Sequence, residues 1–124
     1  TQSSDSYTSG TYGKYLFLPY SQGIIVPEEV STDETATGDI TYDVFLSTSD
    51  SSFAKQDVNN TQDFSQGEND VNGPFALGVE AVKTLDDGDA TLVVYGCEQL
   101  FTDDANSVVS GANLTLFTNT VPEV

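Results

Sequence analysis

The chain's one cysteine, Cys97, lies in Tyr95-Gly96-Cys97-Glu98, directly after the apolar run Thr91-Leu92-Val93-Val94. A strand, a glycine and a cysteine are the lead-in that a thiol nucleophile needs. A working thiolate also needs an imidazole, a cation or a helix N-terminus to favour the ionised form. The chain contains no His, the Lys nearest in sequence is Lys83, and the next residue is the acid Glu98. A neighbouring carboxylate works against a thiolate. The residue types therefore point to a small side chain at the end of a core strand. A Cys-His or Ser-His-Asp arrangement and a zinc site of the usual ligands are excluded within the chain.

The second constellation is Ser47-Thr48-Ser49-Asp50-Ser51-Ser52, five hydroxyls and a carboxylate after a strand. In an open α/β sheet, ligands sit beyond the carboxyl ends of strands. The same residue types are also what turns and caps require. Ser47, Thr48, Ser49, Asp50 and Ser52, together with Cys97 and Glu98, are the candidate ligand-binding residues; none is a candidate catalytic or metal-ligating residue, and no cofactor is expected. Asp86-Asp87-Gly88-Asp89 offers hard oxygens for calcium. It lacks the later Asp and distal Glu of a helix-loop-helix calcium site and falls between two strands, so a turn is expected. Asp103-Asp104 is placed to cap a following helix. Tyr7, Tyr12 and Tyr15 are candidates for an aromatic platform, or for core and edge packing.

The elements that would position these groups are short. Residues 1–14 read as a polar N-terminal segment and 15–124 as a single α/β domain. Residues 15–18 carry a short strand signal broken by Pro19, residues 23–27 form a second apolar run, and 31–39 is a polar connection. In 40–50, Ile40, Tyr42, Val44 and Leu46 share one face of a strand. Residues 55–73 are rich in Asn, Asp and Gln and read as a long exposed loop. Phe75, Leu77, Val79 and Ala81 alternate in a strand that pairs through the Asp86–Asp89 turn with 90–96 as an antiparallel hairpin. Val108, Val109, Ala112, Leu116 and Phe117 recur at helical spacing, which predicts a helix over 111–120 stopped by Pro122. The expected fold is α/β, a mixed sheet of four to five strands with one or two helices.

Twenty acids against three Lys give a formal charge of -17 over 124 residues. Such a surface repels nucleic acid and anionic lipid. No run of 18 apolar residues is present, so nothing in the sequence spans a membrane as a helix. The chain starts at Thr1 and has no Met, which reads as a piece of a longer protein. One Cys forms no internal disulfide.

Four stretches in order, "VFLSTSDSSFAK", "GPFALGVEAV", "ATLVVYGCEQLFTDD" and "GANLTLFTNTV", resemble the auxiliary component of Gld-type ABC transport systems. Leu46, Thr48, Ser49 and Ser52 match the first motif; Gly73, Pro74, Phe75, Leu77 and Val79 the second; Val93, Val94 and Gly96 the third. Gly111, Asn113, Leu116, Phe117 and Asn119 match the last, with Ala112 inserted. Cys97 departs from the pattern, standing where such proteins commonly carry Asp or Ser, and the Trp often found after the final Asn is absent. The resemblance covers roughly residues 40–121. It implies the C-terminal part of a domain similar in fold to class I glutamine amidotransferases, without their chemistry. It further implies an extracytoplasmic, membrane-anchored full-length protein that works with an ATPase and a permease, and it supplies no catalytic residues.

The expectation is a non-catalytic accessory domain that binds permease or cargo. A sheet cut from a larger domain leaves an exposed edge, which suits a homodimer. Two other readings are a carbohydrate-binding or adhesin-type β module, which requires 111–120 to be a strand, and an amidotransferase-like enzyme fragment using Cys97.

Overall fold

The computed structural model describes residues 6–27 and 40–124. The expected polar connection at 31–39 lies outside the described residues. The elements are β1 (Ile40–Ser47), β2 (Phe53–Ala54), β3 (Val71–Asn72), β4 (Ala76–Leu85), β5 (Gly88–Tyr95), α1 (Asp103–Val108), α2 (Ala112–Thr120) and a final 3-10 turn, Val121–Glu123. The fold is mixed α and β, but the sheet is smaller and simpler than the expected mixed one. It has three strands in the order β1-β4-β5, every pair antiparallel, and β2 and β3 form a separate two-stranded ladder.

The β4–β5 hairpin follows from local chemistry. Ten and eight residues of alternating sequence flank Asp86-Asp87, and Leu85 pairs with Gly88. Gly88 takes φ +137°, a conformation that side-chain-bearing residues rarely adopt. β1 pairs along the other side of β4, with a break in register between Val44 and Leu46. That irregularity alters the expected alternation of Ile40, Tyr42, Val44 and Leu46: Phe45 and Leu46 are both buried. Gly78 is the glycine inside β4, and Phe45 explains it. A Cβ at Gly78 would lie 2.7 Å from the Phe45 ring, which occupies the space a side chain would fill.

One face of the sheet carries the core. Tyr7, Phe45, Leu46, Leu77, Cys97, Leu100 and Leu116 form the buried cluster, with Leu16, Leu18, Val93 and Tyr95 packed against it. Aromatic rings link its parts in series. Tyr7 stacks on Phe45 at 4.5 Å, Phe45 meets Tyr95 edge-on at 5.5 Å, Tyr95 meets Phe101 at 5.3 Å, and Phe101 meets Phe117 at 5.3 Å. Such pairs contribute about 0.5–1.5 kcal/mol each beyond burial. The series joins the N-terminal turns, the sheet and α2.

Residues 6–13 are therefore more than a polar leader. Their polar composition hides the anchor Tyr7 and the buried Thr8 and Thr11. The Tyr7 hydroxyl donates to Glu80 Oε2, and burial, with the Glu80 hydrogen bond and charge, pushes its pKa well above the usual tyrosine value. A tyrosine whose folded pKa is raised stabilises the fold fully below the unfolded value of about 10 and loses that contribution as pH climbs above it. Wild type should therefore lose stability above about pH 10 relative to Tyr7→Phe, whose profile is flatter there. Urea midpoints measured at paired pH values check this.

The run 15–18 is not a strand, because its backbone partner is a side chain. Asn113 is fully buried; its Oδ1 accepts from Phe17 N at 3.1 Å, and its Nδ2 donates to Phe17 O at 2.7 Å and Leu100 O at 2.8 Å. The amide exchanges two bonds with Phe17 much as a neighbouring strand would. Residues 23–27 contribute one isolated bridge, Ile24 to Ala76.

The predicted helix over 111–120 is α2, so the β-module reading loses the strand it required there. Gly111 caps α2 at φ +87°, and Asn106 Oδ1 accepts from Leu114 N at 2.9 Å. Asp103 and Asp104 do not cap; Thr102 does, accepting from Ala105 N, and the two acids fill the first turn of α1 where the helix dipole favours them. The loop between β2 and β3 is exposed and organised by its own acids. Asp70 accepts from Gly67 N at 2.8 Å and Gln56 N at 2.9 Å and pairs with Lys55 at 3.2 Å, and these hold its carboxyl below the usual range.

Candidate functional site

The candidate residues fall into two places at one end of the sheet, where β1 and β5 finish and β4 begins. The first is the hydroxyl turn after β1. Thr48 N donates to Phe75 O at 2.9 Å, Phe75 N donates to Thr48 Oγ1 at 2.8 Å, and Thr48 Oγ1 lies 2.7 Å from Ser52 Oγ. Gly73 N donates to Ser52 O at 2.8 Å and Ser52 N to Ser49 O at 3.1 Å. The turn thus clamps the chain entering β4, whose Gly73-Pro74 peptide is cis. Ser47 pairs with Ala76 in the sheet, Ser49 and Ser51 hydroxyls lie 3.2 Å apart, and Asp50 is exposed at the tip. Thr48 and Ser52 spend their hydroxyls on the fold, as turn chemistry requires.

The second place is a cleft of about 360 Å³ lined by Tyr20, Gln22, Tyr95, Gly96, Cys97 and Glu98. Its floor is built by a backbone insertion. Gly96 N donates to Leu77 O at 2.8 Å, the last bond of the hairpin. Beyond it, residues 22–24 wedge between the diverging strands: Gln22 N donates to Gly96 O at 2.7 Å and Ile24 N to Ala76 O at 2.9 Å. This approach is why position 96 is glycine, since a Cβ there would collide with the Gln22 carbonyl oxygen.

Cys97 is 7 % exposed, and its thiol donates to Pro19 O at 3.1 Å. Among the described residues, no cation lines the cleft. Cys97 and Glu98 share it, but residues 47–52 do not, so the candidates divide into a scaffold turn and a cleft wall. Among the described residues no group of three or more His, Cys, Asp or Glu could hold a metal. A thiol that is covered and bonded reacts only when the structure opens. Iodoacetamide at neutral pH should alkylate Cys97 at least about tenfold more slowly in the native protein than in urea; mass spectrometry over time reads the ratio.

Sequence reasoning missed Tyr20 and Gln22 as cleft walls and the Asn side chains as tethers. Asn119 Nδ2 donates to Tyr7 O at 3.0 Å and Ser9 O at 2.8 Å, fixing the N-terminal turns to α2. Tyr20, in the left-handed region at φ +53°, is 88 % exposed, as are Tyr12 and Tyr15. Of the three tyrosines considered as a platform, Tyr7 is core, while Tyr12 and Tyr15 project outward. Among the described residues no helix is long and apolar enough to cross a membrane. Comparison with family models, curated proteins and solved structures finds no match to this chain.

Proposed function

We propose that the chain is an extracytoplasmic accessory domain of an ABC-type transport system, acting by binding its permease or a cargo and not by catalysis. One observation supports this above others: the residues carrying the motif resemblance serve the scaffold. Thr48 and Ser52 clamp Gly73 and Phe75. Gly96 admits the 22–24 wedge. Asn113 and Asn119 tether distant backbone. Motifs that build a scaffold and assemble no nucleophile with a base are what a binding module needs. In this reading the sheet and two helices are the C-terminal part of a larger domain similar in fold to class I glutamine amidotransferases. The full-length protein is membrane-anchored and works with an ATPase and a permease.

The gene neighbourhood tests this reading. Adjacent genes for an ATPase and a permease are the expected result; a neighbourhood of unrelated hydrolytic genes would remove it. Cys97→Ser in the full-length protein should leave transport intact, which an enzyme using that thiol would not.

A further inference from the structure

The pattern Asn-X-Thr with X not proline, the acceptor motif for an N-linked glycan, occurs twice in the chain, at Asn59-Asn60-Thr61 and at Asn113-Leu114-Thr115. The structure separates the two. Asn113 lies in α2, is fully buried and gives both ends of its amide to Phe17 and Leu100, so no enzyme reaches it in the folded chain. Asn59 lies in the loop between β2 and β3, where residues 56–69 are all exposed. The loop is held by other groups. Asn59 N donates to Asp57 Oδ1 at 3.1 Å and Asn60 N to Asp57 O at 3.3 Å. Asn60 Oδ1 accepts from Gln62 N at 3.3 Å and Asp63 N at 3.2 Å. Among the described residues, these bonds engage neither the Asn59 side-chain amide nor the Thr61 hydroxyl. Only local bonds must open for the segment to extend into a transferase. Asp57 stands two places before Asn59, where a cation on such an enzyme can hold it; Gly111 fills that place before Asn113.

We propose that Asn59 is the attachment site of an N-linked oligosaccharide. The donor is a lipid-linked oligosaccharyl diphosphate, used by a transferase on the outer side of the membrane. Asn59 Nδ2 attacks the anomeric carbon of the donor and a C–N bond forms. The anomeric C–O bond breaks, its electron pair leaves with the lipid diphosphate, and Nδ2 gives up one proton; nothing is oxidised or reduced. The Thr61 hydroxyl is the group by which the transferase selects this Asn over Asn60. A bulky, hydrated glycan belongs on such a surface loop, and it keeps that side of the domain open to water. The inference rests on the extracytoplasmic reading of the chain and adds a covalent modification at a named atom.

The test uses the full-length protein purified from its native membranes. Trypsin cuts after Lys55 and Lys83 and releases Gln56–Lys83; mass spectrometry with electron-transfer fragmentation locates any added saccharide on this peptide. The expected result is a saccharide on Asn59 and none on Asn113. Asn59→Gln and Thr61→Val should each lose it, while Thr61→Ser and Asn60→Gln should keep it. All four variants should retain the wild-type circular dichroism spectrum, since the loop is exposed. An unmodified Asn59, a saccharide fixed to Thr61 or Asn60 instead, or full occupancy in Thr61→Val would overturn the proposal. Co-purification of an ATPase and a permease is read on the same sample, so failure here is separable from failure of the transport reading.

Discussion

Asn113→Ala is expected to remove about 4 kcal/mol of stability, measured by urea unfolding. The side chain is fully buried and makes three hydrogen bonds to Phe17 and Leu100. Truncation leaves three backbone groups without partners, and each buried orphan costs about 1–3 kcal/mol. A loss of that size is a large fraction of the roughly 5–15 kcal/mol that holds a typical domain together. The effect should reach the cleft, because Phe17 leads directly into Pro19 and Tyr20, and the Pro19 carbonyl holds the Cys97 thiol. Cys97 should therefore alkylate faster in this variant than in wild type under conditions where the helical signal persists. A loss under about 1 kcal/mol would mean that water satisfies these groups and that Asn113 is not a tether.

Gly96→Ala should be nearly as damaging, by roughly 2–4 kcal/mol. The obstacle is backbone, the Gln22 carbonyl, which has no rotamer to escape into. The Gln22 to Gly96 and Ile24 to Ala76 bonds should break together, because both belong to the same wedge. Amide exchange at Gln22 and Ile24 should quicken while the amides of the central β4–β5 ladder stay protected. Gly88→Ala tests the alternative that any side chain in this hairpin is harmful. Nothing lies within 4 Å of a Cβ there, so its smaller cost comes only from positive φ, about 1 kcal/mol.

The features legible in the sequence are the local ones. The hairpin is legible because its alternation and its Asp-Asp-Gly turn are contiguous, and α2 because its apolar spacing runs into Pro122. The helix α1 has six residues, too few for a periodic signal, so the sequence puts the cap at Asp103-Asp104 when Thr102 holds it. The break in β1 register at Phe45 depends on its ring lying over Gly78, which neither stretch announces alone. The strand expected at 15–18 fails for a related reason. Its apolar pattern is real, but its partner is an Asn side chain 96 residues away. At the site, Cys97 as the end of a core strand is legible from the run before it. The walls Tyr20 and Gln22 are not, since the thiol's partner Pro19 is 78 residues distant. The hydroxyl cluster after β1 is visible as composition, and composition alone does not distinguish a ligand site from a clamp.

Affinity purification of the full-length protein, tagged and expressed at native level, from membranes solubilised in mild detergent tests the transport role head-on. Quantitative mass spectrometry then identifies what accompanies it. An accessory domain should bring down an ABC-type ATPase and a membrane-embedded permease in near-stoichiometric yield, and should retain both with Cys97→Ser. Recovery of the protein without either subunit, under conditions that keep the transporter intact, would contradict that role.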